Sequence, residues 1–244
     1  MKLTHLSLAC LLLSAAASAS AAVIGYGTSS PTGNAAAWSS AVSGLGGTVS
    51  TLDFESHPLG ALQSNHYTGV TLTASGDVNT VTNGAGPAQG NIFSTPLSSG
   101  EGAHPASNYL FDGETPSALT ISFDSAMLGV GLYIIDYFNP DPGSNPLQIE
   151  AFDGINGTGS SLGLFSSVAY NFQSNNMYFM GVTSSDNNIR SLLFRDVNSS
   201  TGDTTGIDNI VYAKSNGGTV PEPGTLALLG LGFAGLAASR RRKP

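Results

Sequence analysis

Leu119-Thr120-Ile121-Ser122-Phe123 sets three apolar residues on one side of an extended chain and two hydroxyls on the other. That is the two-residue period of an antiparallel strand with one buried and one wet face. Shortly downstream, Val130-Gly131-Leu132-Tyr133-Ile134-Ile135 is apolar on both faces, which predicts a strand inside its sheet rather than at an edge. Working outward, the same rhythm of short runs and turn residues predicts strands at 48–54, 70–74, 77–82, 109–111, 118–123, 129–137, 147–152, 161–165, 178–183, 190–194 and 207–213. Clusters such as Asn139-Pro140-Asp141-Pro142-Gly143 punctuate them. Eleven short strands imply an all-β, jelly-roll-like antiparallel β-sandwich spanning residues 48–214.

Ahead of the strands, residues 22–47 read as a flexible lead-in with one short helix. The stretch 25–33 is mostly glycine, serine, threonine and proline, with little to bury, so order is expected to begin at Asn34. Asn34 is a candidate N-cap, and the helix it opens runs through Trp38 and Val42 to Gly44. Trp38, the only tryptophan, reads as a packing anchor.

The two ends carry a different grammar. Met1-Lys2, an apolar run at 6–13 and small residues at 14–22 follow the order of a cleaved secretory signal, assigned to residues 1–21. The apolar run falls well short of the ~20 residues that a spanning helix needs. Cys10 lies inside that run, so its placement argues against a lipoprotein signal. At the other end, after a linker at 215–219, Val220-Pro221-Glu222-Pro223-Gly224 precedes an unbroken apolar stretch at 226–238 and then Arg240-Arg241-Arg242-Lys243. The prolines hold an extended peptide, the apolar stretch is expected to enter a membrane as a helix, and the basic cluster is retained on the cytoplasmic side. Thirteen residues at ~1.5 Å each reach about 20 Å, less than a ~30 Å hydrocarbon core, so snorkelling cations must cover the difference.

In these residues, segment 220–244 resembles the PEP-CTERM sorting domain. The resemblance implies processing by an exosortase, a membrane-embedded cysteine transpeptidase, with Pro221, Glu222 and Pro223 as the recognised positions. Together with signal peptidase at the other end, it implies export through the inner membrane to the cell surface or extracellular matrix. A second resemblance lies in Leu52-Asp53-Phe54-Glu55, Tyr67-Thr68-Gly69-Val70-Thr71 and Gly206-Ile207-Asp208-Asn209-Ile210. These words are similar to the openings and closings of carbohydrate-binding and MAM-type jelly rolls.

Between signal and tail, three cations stand against fifteen acidic residues, a net charge near −12. Nucleic acid is therefore excluded as a partner, since phosphate binding demands a basic footprint. If first and last strands lie side by side, Asp53, Glu55 and Asp208 would converge with backbone carbonyls on one cation. Calcium is the hard ion that such an oxygen-only set suits. The alternative is that Asp53 and Asp208 face solvent from strand edges.

No nucleophile elbow, zinc helix or phosphate loop is present. His57 and His104 each precede a proline and read as solvated turn residues; His66 is the third histidine of the mature chain. Acid pairs such as Asp112 with Glu114 carry the residue types that glycosidase chemistry uses. The steps after Asp112, Asp153 and Asn156 read as turns. Tyr133, Tyr137, Phe138 and Tyr178 are candidate sugar-stacking aromatics, with core packing as the default. The expectation is a non-catalytic surface or matrix protein associated with extracellular polysaccharide; the alternatives are a secreted carbohydrate-active enzyme and a purely structural coat.

Overall fold

In a computed structural model, the structure describes residues 22–30, 32–76, 78, 80–84, 107–112, 117–135, 147–168, 177–196 and 205–216. They form two antiparallel sheets and one helix. The larger sheet holds β1 (Val23–Tyr26), β2 (Gly47–Leu52), β3 (Gly60–Ala61), β5 (Thr80–Gly84), β6 (Ser107–Asp112), β8 (Gly129–Ile135), β11 (Met177–Ser184) and β13 (Thr205–Ser215). Its order is β1-β11-β8-β13-β6-β5-β3, with β2 also paired to β13. The smaller sheet is β10-β9-β12-β7-β4, from β4 (Val70–Ser75), β7 (Ser117–Met127), β9 (Gln148–Phe152), β10 (Ser161–Ser166) and β12 (Ile189–Asp196).

The alternation in Leu119, Ile121 and Phe123 turns those side chains inward, where they meet Leu132, Ile134 and Ile210 of the larger sheet in one core. Each such side chain contributes roughly 1.5–3 kcal/mol when fully buried. β8, apolar on both faces, lies between β11 and β13 as its sequence requires. Its second apolar face meets the helix α1 (Asn34–Gly44), which lays Trp38 and Val42 on the outer side of the larger sheet against Phe179, Val211 and Ala213. Trp38 Nε1 donates to the Val182 carbonyl at 3.1 Å. Gly181 leaves the room, because a Cβ there would lie 2.8 Å from the Phe179 ring and 3.0 Å from Trp38.

Three expectations change. The segment read as a lead-in supplies β1, which pairs with β11 from Val23↔Ser184 to Tyr26↔Gly181. Gly25 lets that edge strand press on Phe165 of the other sheet, where a Cβ would overlap the ring. Order therefore begins before Asn34. Asn34 is not the cap either: Gly33 occupies the cap position with φ 79, and Asn34 Nδ2 reaches back to the Ser30 carbonyl at 2.8 Å. Tyr178 keeps its default of core packing, its hydroxyl donating to the Gly27 carbonyl and accepting the Val168 N–H. His57 is not a solvated turn residue but is 2% exposed.

The signal segment, the sorting motif at Pro221, Glu222 and Pro223, the apolar stretch and the basic cluster Arg240, Arg241, Arg242 and Lys243 lie outside the described residues, as do His104, Glu114, Tyr137 and Phe138. Among the described residues no helix is long and apolar enough to cross a membrane.

Candidate functional site

β13 changes partner part-way along one edge. Ile210 to Ser215 pair with β2, whereas Thr205 to Ile207 pair with β6. On its other edge the register to β8 shifts between Asp208↔Tyr133 and Val211↔Gly131. One extra residue in β13 thus makes a bulge, and Asn209 takes φ 48 there. The consequence is a seam where the end of β2, the start of β6 and the bulge meet.

Three carboxylates gather around this seam. Asp208 is 1% exposed, and its two oxygens accept the N–H (2.7 Å) and side-chain Nδ2 (2.9 Å) of Asn209. Asp53 Oδ1 accepts the Glu55 N–H at 3.2 Å, and Glu55 Oε1 accepts the Asn108 N–H of β6 at 2.7 Å. Between them Phe54 is fully buried in the left-handed region, φ 60. A bulky residue holds that conformation only when its surroundings enforce it. Here the reversal sinks the ring into the core and leaves both flanking acids exposed.

Tyr67 enters the same place from the loop before β4, its ring edge-on to Phe54 (6.1 Å) and to His66 (4.8 Å). Its hydroxyl is buried without a hydrogen-bond partner among the described residues. Burial first, and then the charges of Asp53, Asp208 and Glu55, hold its pKa well above the ordinary tyrosine value. Ser56 lies close enough to oppose that rise slightly, but not in hydrogen-bonding geometry; its hydroxyl instead meets His66 Nε2 at 3.4 Å. The loop is stapled by His57, whose Nε2 accepts the Gln63 N–H at 2.9 Å while Nδ1 lies 2.6 Å from the Pro58 carbonyl. These partners assign the proton to Nδ1.

The three acids named from the sequence therefore come into one neighbourhood, and Asp208 is buried rather than solvent-facing. Among the described residues, however, no three Asp, Glu, His or Cys side chains stand gathered as a metal cage. The donor set is all oxygen, and its carboxylates are committed to N–H groups. Tyr67 opens the Tyr67-Thr68-Gly69-Val70-Thr71 motif of the jelly-roll resemblance, but neither it nor Asn108 belongs to the acid set that the sequence offers as a site.

A second surface is the outer face of the smaller sheet. Across it Thr73, Thr120, Leu193, Glu150 and Leu164 stand in one register row. Arg195 pairs with Glu150 at 3.0 Å, the two side chains 33% and 18% exposed.

Residues 219–243 match the PEP-CTERM protein-sorting motif. The chain thus carries the sorting signal of an exported protein. No curated protein matches the chain. Among solved structures, a cleaved adhesin domain of Lys-gingipain from Porphyromonas gingivalis is 12% identical, with a TM-score of 0.41 over 70% of this chain and 100% of that one. A family 29 carbohydrate-binding module from Piromyces equi is 11% identical, with a TM-score of 0.36 over 68% of this chain and 90% of that one. A Ruminococcus gnavus GH29 fucosidase in complex with fucose is 13% identical, with a TM-score of 0.31 over 64% and 27%. At such scores neither ligands nor activities carry over.

Proposed function

We propose that this is a non-catalytic cell-surface or extracellular-matrix protein, delivered by an exosortase-type system, whose sandwich associates with extracellular polysaccharide. The observation that carries the reading is the sorting motif at residues 219–243. The wet face of the smaller sheet supports the second half. Arg195, Glu150 and Gln148 offer planar, charge-assisted hydrogen-bonding groups beside the apolar patches of Leu193 and Leu164, the mixture that a sugar ring with its hydroxyl rim requires. The ring nitrogens of His57 are both engaged, which supports a non-catalytic role for it.

A structural calcium ion belongs to the same reading, held by Asp53, Glu55 and Asp208. Binding would draw the exposed acids off their N–H partners, and the charge it supplies would offset three crowded carboxylates.

Two measurements test the proposal. Intact mass and cell fractionation of wild type against Glu222→Ala should show a mature species at the surface or in the matrix that the variant lacks. Affinity electrophoresis in polysaccharide gels should show retardation without release of reducing ends, weakened by Arg195→Ala. Released reducing ends would make it an enzyme, and neither effect would leave a structural coat.

A further inference from the structure

The loop between β9 and β10 contains an Asn-Gly step, Asn156-Gly157, on an exposed surface. Such a step is chemically labile, because glycine places no side chain between its amide nitrogen and the preceding carboxamide carbon. In spontaneous deamidation the Gly157 nitrogen loses its proton and attacks Asn156 Cγ. The N–Cγ bond forms, the Cγ–Nδ2 bond breaks, and ammonia leaves. Water then opens the succinimide to aspartate or isoaspartate.

Two serines of the smaller sheet hold the attacking N–H and the oxygen of the carboxamide it would attack. Ser122 and Ser191 are direct register partners on β7 and β12, and both are buried although they belong to the outer face. Ser122 Oγ accepts the Asn156 N–H at 2.9 Å and donates to the carboxamide Oδ1 at 3.1 Å. Ser191 Oγ accepts the Gly157 N–H at 2.9 Å and donates to the Gly154 carbonyl at 2.6 Å. The left-handed backbone at Asn156 (φ 56) and Gly157 (φ 68) is held by these bonds together with Gly154 N–H to the Thr158 carbonyl.

We propose that Ser122 and Ser191 form a lock that suppresses deamidation of Asn156, making this loop a modification site that opens only when the loop lifts off the two serines. The nucleophile's proton is engaged by Ser191, and the electrophilic carbon is tethered through its own oxygen to Ser122. Cyclisation must strip the Gly157 N–H from Ser191 and turn a carboxamide whose oxygen Ser122 tethers. An exported protein cannot be renewed in place, so a labile step on its surface gains from such restraint.

The test is peptide mapping of the full-length protein after incubation in mildly alkaline buffer, reading deamidated and isoaspartyl forms at Asn156. Folded wild type should react at least about tenfold more slowly than the same protein unfolded in urea, since each lost buried bond is worth on the order of tenfold. Ser191→Ala and Ser122→Ala, shown to be folded by circular dichroism, should each lose most of that protection. Equal rates in folded and unfolded wild type would overturn the lock, as would folded variants that keep full protection. Should neither variant fold, the wild-type comparison, with hydrogen exchange at the Gly157 amide, decides alone.

Discussion

Tyr67→Phe removes one oxygen and leaves the ring in place against Phe54 and His66. The hydroxyl it removes is buried with no partner among the described residues, and such a group costs roughly 1–3 kcal/mol. Deleting it should therefore stabilise the folded body. For a domain of about 150–250 residues, 1 kcal/mol shifts Tm by about 2–4 °C, so a rise of at least about 2 °C is expected in chelator. The assay is thermal melting followed by circular dichroism, with wild type and variant run in chelator and again in millimolar calcium. Calcium should raise the Tm of wild type, by about 2.7 kcal/mol of stabilisation at a hundredfold excess over Kd. Asp208→Asn should abolish that response. A Tm that falls in chelator on Tyr67→Phe would refute the reasoning, because it would mean that the hydroxyl makes a bond the structure does not show. Identical melting of wild type with calcium and with chelator would end the calcium reading while leaving the hydroxyl argument intact.

The same phenol should leave a mark at high pH. Its folded pKa lies above that of the unfolded chain, so its contribution is fully present below about pH 10 and is lost as pH climbs from there towards the folded value; a pH series of melts should fall less steeply for Tyr67→Phe. Trp38→Ala should cost about 3–5 kcal/mol, because it empties the contact between α1 and the larger sheet and removes the Nε1 bond to the Val182 carbonyl; urea unfolding measures it. Gly25→Ala should expose β1, since its Cβ must displace the Phe165 ring; faster hydrogen exchange at the Val23 to Tyr26 amides, with little change in exchange of β8, is the expected pattern.

The strands were legible wherever one face is buried, because a two-residue period survives in composition. Residues 118–123, 190–194 and 207–213 mark β7, β12 and β13, each extended by a few positions in the structure. β7 runs on to Met127 through Asp124 and Ser125, whose exposure hides the pattern. β1 escaped notice because Val23-Ile24-Gly25-Tyr26 adjoins a run of small residues and owes its place to β11 and Phe165, neither of which is local. β3 is two residues long, too short to have a period. The seam was legible in part. That the first long strand would lie beside the last followed from the fold class, and it brought Asp53, Glu55 and Asp208 together. The bulge at Asn209 and the left-handed Phe54 could not be read, because both are imposed by tertiary pairing on residues that elsewhere prefer extended backbone. The burial of His57 was hidden for the same reason: it depends on Gln63, six residues away across a turn.

β13 is the last described strand, and it lies inside the larger sheet, zipped to β8 along one side and to β2 and β6 along the other. A pull applied at Asn216 along the axis of β13 meets paired neighbours on both flanks of the strand. Rows of interstrand bonds on both flanks then bear the load in parallel, in shear, instead of being peeled one at a time as they would be from an edge. A strand flanked in this way resists extraction better than β1 or β3, which close the two margins of the sheet.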